Sequence, residues 1–163
     1  MIVIADASPI NYLALIGHIQ ILPEQFGKVI IPQAVQEELE SQGAPEEVRR
    51  LLADKPDWLL VQRVDAIDAS LAHLDAGERE AIALAQELNA DLVILDDRKG
   101  RQTAMEIGLN VIGTLGLIEQ AAMLGLIDLP TAIARLKQTT FRISPHLLDA
   151  LLDRHKQSES DQV

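Results

Sequence analysis

Cysteine is absent from these 163 residues, and aromatic side chains nearly so, with one Trp, one Tyr and two Phe. The first absence removes disulfides, thiolate metal sites and cysteine nucleophiles together. The second leaves a core to be built from Leu, Ile, Val and Ala, which favours helices packed on an apolar sheet. No apolar run reaches the ~18 residues of a membrane span, because Glu119 and Asp128 interrupt the richest stretch. The N-terminus has no basic region followed by a signal-type apolar stretch, so a soluble, cytoplasmic protein without a membrane partner is expected. Positive charge is scarce too: 14 Lys and Arg stand against 25 Asp and Glu, a net charge of −11. That balance argues against a broad non-specific nucleic-acid surface, which draws on Lys and Arg for its phosphate contacts. An acidic site that handles phosphates through bound cations remains open, as does a basic partner.

What is present is alternation. Strand-like apolar runs occupy residues 2–5, 29–31, 59–61, 92–95 and 110–112. Helical patterns occupy 9–15, 33–39, 98–107 and 115–124, with two more at 130–137 and 145–155. The clearest helix is 78–88, where Ala81, Leu84, Ala85 and Leu88 recur at i, i+3, i+4, i+7 spacing. Ala44-Pro45-Glu46-Glu47 starts a small helix on an insertion that Lys55-Pro56-Asp57 ends. Strands alternating with helices predict an α/β fold, with a parallel sheet of four to five strands covered on both faces. The length suits one domain, here residues 1–155, and the polar stretch 156–163 is expected to fray.

Several acids occupy informative positions in this pattern. Asp6 directly follows the first apolar run, and Asp96-Asp97 directly follow Leu92-Val93-Ile94-Leu95. In open α/β sheets, ligands sit in the crevice beyond the carboxyl ends of the strands. Two further acids are found by helical phase, since successive residues turn by about 100°. Glu38 falls inside the apolar stripe of Ala34, Val35 and Leu39, and Glu78 inside that of Ala81, Ile82 and Ala85. Their neighbours Glu37, Glu40, Glu80 and Glu87 fall outside.

Each position also has a purely structural role open to it. Asp6 suits a cap for the helix near Pro9, and Asp75 with Glu78 matches a capping box. Either Asp96 or Asp97 suits the cap of the next helix, and Glu38 a salt bridge. Arg98, Lys99 and Arg101 read as a solvated face or as a phosphate clamp; Ser8 reads as a cap or as a group orienting a ligand. Tyr12 and Trp58 read as packing residues, and the four His have no metal-type spacing.

Converging at one sheet edge, Asp6, Glu38, Glu78 and Asp96 or Asp97 could not all stay ionised without a counter-charge. Hard divalent cations prefer carboxylate oxygen and water, and the chemistry such a site supports is metal-assisted phosphodiester hydrolysis. An aspartyl-phosphate phosphatase also begins with a strand ending in Asp, but it wants a second acid two residues on, where Ser8 stands. A phospho-receiver domain wants its nucleophilic Asp on a middle strand and a later strand-end Lys, and none is evident near Gly113-Thr114.

The ordered set of segments is similar to PIN-domain proteins, in particular the compact prokaryotic branch related to toxins of type II toxin–antitoxin pairs. It comprises Ile4-Ala5-Asp6-Ala7-Ser8-Pro9-Ile10, Ile31-Pro32-Gln33-Ala34-Val35-Gln36-Glu37-Glu38-Leu39 and Leu74-Asp75-Ala76-Gly77-Glu78-Arg79-Glu80-Ala81-Ile82-Ala83-Leu84-Ala85. Leu95-Asp96-Asp97-Arg98-Lys99-Gly100-Arg101 and Val111-Ile112-Gly113-Thr114-Leu115-Gly116 complete it. The resemblance covers about residues 2–125 and implies a three-layer α/β/α domain with a Mg²⁺ or Mn²⁺ site. The family acids map onto Asp6, Glu38, Glu78 and Asp96, with Asp97 as neighbour or substitute; Asp6, Glu78 and Asp96 or Asp97 are the implied metal ligands. The implied activity is single-strand-specific ribonuclease, leaving a 5′-phosphate and a 3′-hydroxyl, with Ser8, Arg98 and Arg101 as weaker candidates for substrate contact. Homodimers and a cognate antitoxin are common among such proteins. The competing expectation is a PIN-like module that binds nucleic acid or protein without cutting.

Overall fold

The apolar runs form five short strands in a computed structural model that describes residues 1–161. They are β1 (Val3–Ala5), β2 (Val29–Pro32), β3 (Leu59–Gln62), β4 (Leu92–Ile94) and β5 (Val111–Ile112). Every pairing is parallel, in the order β3-β2-β1-β4-β5. Parallel pairing follows from the connections, since each strand hands on to helix before the next strand begins. The helices are α1 (Ala7–Leu15), α2 (Ile21–Phe26), α3 (Gln33–Glu40), α4 (Glu46–Ala53) and α5 (Ala76–Leu88). They continue as α6 (Arg98–Glu106), α7 (Thr114–Met123), α8 (Leu129–Lys137) and α9 (Pro145–Asp161).

Period-two alternation divides the core between the two faces of the sheet. Val3, Ala5 and Ile94 point to one side, where they pack with Ile10 and Leu13 of α1, Leu117 and Ile118 of α7, and residues of α8 and α9. Ile4, Val93 and Leu95 point to the other, against Ala81, Ile82 and Ala85 of α5 and Ala104 of α6. The sheet thus separates two apolar layers, as the three-layer expectation requires.

Two elements were not foreseen, α2 and a short 3-10 turn at Ala69–Leu71. Both are too short for periodicity to register; burial of Ile21, Leu22 and Leu71 holds them in place. α9 also runs six residues beyond the expected end of the domain, to Asp161, while 162 and 163 lie outside the described residues. Leu148 and Leu151 anchor that helix, and a His155–Glu159 contact at 3.3 Å spans one of its later turns.

The strand order matters for the site. The chain moves outward from β1 through β2 to β3, then crosses to β4 on the other side of β1 and continues to β5. The turns after β1 and β4 therefore lead to helices on opposite faces, α1 on one and α6 on the other. A crevice opens between them, the expected ligand position in such sheets. The Asp6 amide donates to the Ile94 carbonyl at 2.9 Å, so the chain beyond β1 stays beside the chain beyond β4.

Ile4 is fully buried in the central strand. Ile4→Ala should lower the unfolding free energy by about 2–5 kcal/mol in urea titrations, through lost apolar contact plus a cavity. Arg50→Gln breaks an exposed Arg50–Glu46 pair and should cost less than about 0.5 kcal/mol.

Candidate active site

Asp6 is the first residue past β1 and occupies the N-cap position of α1, yet its side chain makes no capping hydrogen bond. It is 7% exposed. Glu78, in the first turn of α5, is 6% exposed. With Thr114 they are the buried polar or charged residues among those described. Asp75 caps α5 by accepting from the Glu78 amide at 2.9 Å. The Glu78 carboxylate lines a cleft together with Asp6 and Asp75.

Asp96 and Asp97 divide the work. Asp97 caps α6, accepting from the Gly100 amide at 3.0 Å. Asp96 is held by three donors: the Thr114 amide and hydroxyl, each at 2.7 Å, and the Ser8 hydroxyl at 3.2 Å. Thr114 opens α7 straight after β5, so the neighbouring strand supplies the group that orients Asp96. Ser8 reaches it from the first turn of α1.

Glu38 stands differently from its helical phase. It is exposed and lines the mouth of the cleft rather than facing the sheet. α3 starts at the end of β2 and packs on α5, α1 and α4, and the Glu38 carboxylate lies against the first turn of α5, beside Gly77. A salt bridge does not explain Glu38, since no Lys or Arg pairs with it among the described residues. Glu80, on the outer side of α5 by phase, accepts from the Ala34 amide at 3.3 Å and ties α5 to the start of α3.

Glycine permits this crowding at two points. A Cβ on Gly77 would sit 2.9 Å from Asp6 Oδ1 and 3.3 Å from Glu38 Oε2. A Cβ on Gly113 would sit 2.7 Å from Arg101 Nη1 and 3.0 Å from Asp96 Oδ1. Neither φ is positive, so closeness of approach, not backbone conformation, is what demands glycine here.

Burial pushes the Asp6 carboxyl up to about 7, and the charges of Asp75, Glu38 and Asp96 add to it against the Ala7 amide. Glu78 is likewise raised to about 7, first by burial and then by Asp75, Asp97 and Asp6. Glu38, exposed as a residue, is raised by partial desolvation of its carboxyl in the cleft and by the charge of Asp75. No Lys or Arg forms an ion pair with these acids among the described residues. The donor set is all carboxylate oxygen, which suits a hard cation holding part of its water shell. No three of these side chains, among the described residues, are drawn together as a ready-made ion cage.

The cleft has a volume of about 1230 Å³ and holds all the predicted acids, with Ser8, Arg98 and Arg101, in one space. Sequence reasoning missed Asp75 as a site member, because its capping signature accounted for it. It missed Thr114, whose role depends on β5 lying beside β4. It also missed Tyr12, Phe141 and Arg142, which line the same cleft from distant parts of the chain.

The domain is a five-stranded parallel α/β unit whose acids gather at the switch point of the sheet. The chain belongs to the PIN-domain family DUF3368, whose sequence profile matches residues 2–157. PIN domains are generally nucleases and typically use divalent metals. Among solved structures it is similar to a PilT N-terminus domain protein from the hyperthermophilic archaeon Sulfolobus solfataricus P2. That likeness has a TM-score of 0.54 at 21% identity, over 88% of this chain and all of the other, and it speaks for the fold. No curated protein gives a significant match. No helix among the described residues is long and apolar enough to cross a membrane.

The raised Asp6 pKa sets a sign for stability. A carboxyl near 7 in the fold and near 3.9 unfolded favours folding when protonated, so stability falls as pH rises from about 4 to about 7. In EDTA at pH 8, Asp6→Asn should raise the Tm by about 5–10 °C, for a cost on the order of 2–4 kcal/mol removed. The gain should vanish near pH 4. A lower Tm for the variant at every pH would contradict this account.

Proposed function

We propose that this protein is a metal-dependent endoribonuclease acting on single-stranded RNA by hydrolysis of the phosphodiester bond. The observation that carries the reading is the set of buried, mutually repelling carboxylates, unpaired with cations, at the switch point of a parallel sheet. Such a set is costly to keep unless a positive charge arrives there.

Asp6, Glu78 and Asp96 are the residues that would hold Mg²⁺ or Mn²⁺, with Asp97 beside them. The bound ion would supply an acidified water and neutralise the charge that develops on the phosphate. Asp96 is kept in one orientation by Thr114 and Ser8. Ser8 thus serves the substrate through Asp96. Glu38, which lines the same cleft, would orient the attacking water or contact a second ion. Asp75 holds the first turn of α5, so Glu78 keeps its position. Arg98 and Arg101, on the first turn of α6, offer donors to the phosphate oxygens.

We further propose that the protein acts as the toxin of a toxin–antitoxin pair, as a cytoplasmic homodimer that a cognate antitoxin blocks. The absence of a ready-made ion cage among the described residues favours a second reading, a PIN-like module that binds without cutting.

Cleavage of a mixed single-stranded RNA panel with Mn²⁺, Mg²⁺ or EDTA separates the two. Wild type is expected to cut with metal and not with EDTA, and Asp6→Asn to lose at least 10²-fold, on the scale of one transition-state contact. Clean wild type that cuts nothing under any metal supports the binding module. Thr114→Val removes the hydroxyl on Asp96 while keeping the amide and the shape. It should lower the rate and the Mn²⁺ affinity by about 10–100-fold with little change in Tm.

A further inference from the structure

We propose that the cleft wall formed by Tyr12, Phe141 and Arg142 is a nucleotide subsite: Arg142 takes a backbone phosphate, and the aromatic pair receives the adjoining base. The inference rests on the nuclease reading of the acids and names how the RNA strand continues away from them.

The segment between α8 and α9 has no regular structure, yet it is pinned. The Tyr12 and Thr140 hydroxyls meet at 2.8 Å, and the Tyr12 and Phe141 rings lie edge to face with centroids 5.0 Å apart at 84°. Thr139 completes the turn, its hydroxyl donating to the Leu136 carbonyl at 2.6 Å and accepting from the Phe141 amide at 3.2 Å. The segment is thereby fastened to α1, whose first residues stand among the acids. Ser8 and Tyr12 are one turn apart on α1 and share a face. Ser8 touches Asp96, so this face leads from the acids to the strap.

Composition makes the location informative. The chain has four aromatic residues, and two of them meet on this wall. Its charge is −11, which repels a polyanion from most of the surface. Arg98, Arg101 and Arg142 nevertheless line one cleft, and none is in an ion pair among the described residues. Cations that track a backbone, next to aromatic faces, are the elements of single-strand binding. A base must leave its stack to reach such rings, which selects single strands over duplex.

The test is steady-state cleavage of a single-stranded oligoribonucleotide with Mn²⁺ by wild type, Arg142→Gln and Arg49→Gln. Arg49 is exposed on α4, outside the cleft, and controls for net charge. Arg142→Gln should raise KM about 5- to 10-fold, more than it lowers kcat. It should also flatten the dependence of log(kcat/KM) on log[salt] by about 0.7, one phosphate contact on a single strand. Arg49→Gln should stay within about twofold of wild type on the same scale. Removing the base next to the scissile phosphate, as an abasic site, should raise the wild-type KM by a similar factor to Arg142→Gln. If Arg142→Gln matches Arg49→Gln while wild type cuts, the subsite is overturned and the nuclease reading stands. If wild type does not cut, the nuclease reading fails and this inference falls with it.

Discussion

Negative charge buried at the carboxyl edge of the sheet is the constraint around which this molecule is arranged. Asp6 and Glu78 are held nearly out of water, within reach of one another's field and of Asp75, Asp96 and Asp97. A packed domain gains nothing in stability from such an arrangement, since the same positions filled by apolar side chains would add to the core. The arrangement makes sense when a positive charge completes it. On the metal-dependent reading proposed above, that free energy cost would be recovered in the affinity for a cation.

The surrounding structure serves to hold the repelling groups together. Gly77 lets the first turn of α5 come up against Asp6 and Glu38, and Gly113 does the same for Arg101 and Asp96. Asp75 and Asp97 are fastened as helix caps, which keeps the first turns of α5 and α6 in place. Thr114 and Ser8 fasten Asp96 from two different elements. Glu80 joins α5 to α3. Several of these acids therefore have both a structural and a site role, and neither explanation displaces the other. Asp75 is the clearest case, a true cap whose charge also raises its three neighbours.

Much of this was legible beforehand, because both periodicities of the chain were strong. The apolar runs located every strand to within a residue at either end, and helical phase singled out Glu78 for burial. The same phase argument placed Glu38 toward the sheet, where it is instead exposed over the crevice. Phase describes a helix's own faces and carries no information on whether a given turn lies over the sheet or beyond it. Short elements such as α2, with six residues, are set by burial against the rest of the fold and leave no period to read.

The sequence by itself determined the parallel α/β layering, the placement of Asp6 and Asp96 at strand ends, and the lack of any thiol or aromatic-rich core. These follow from local spacing and composition. Only the tertiary structure decided that β4 lies beside β1, which brings Asp6 and Asp96 to one crevice although ninety residues separate them. Only it chose Asp96 over Asp97 for Thr114, and brought Tyr12 to Phe141 and Arg142. Strand order and the docking of a distant strap arise from long-range packing, and no window along the chain contains both partners.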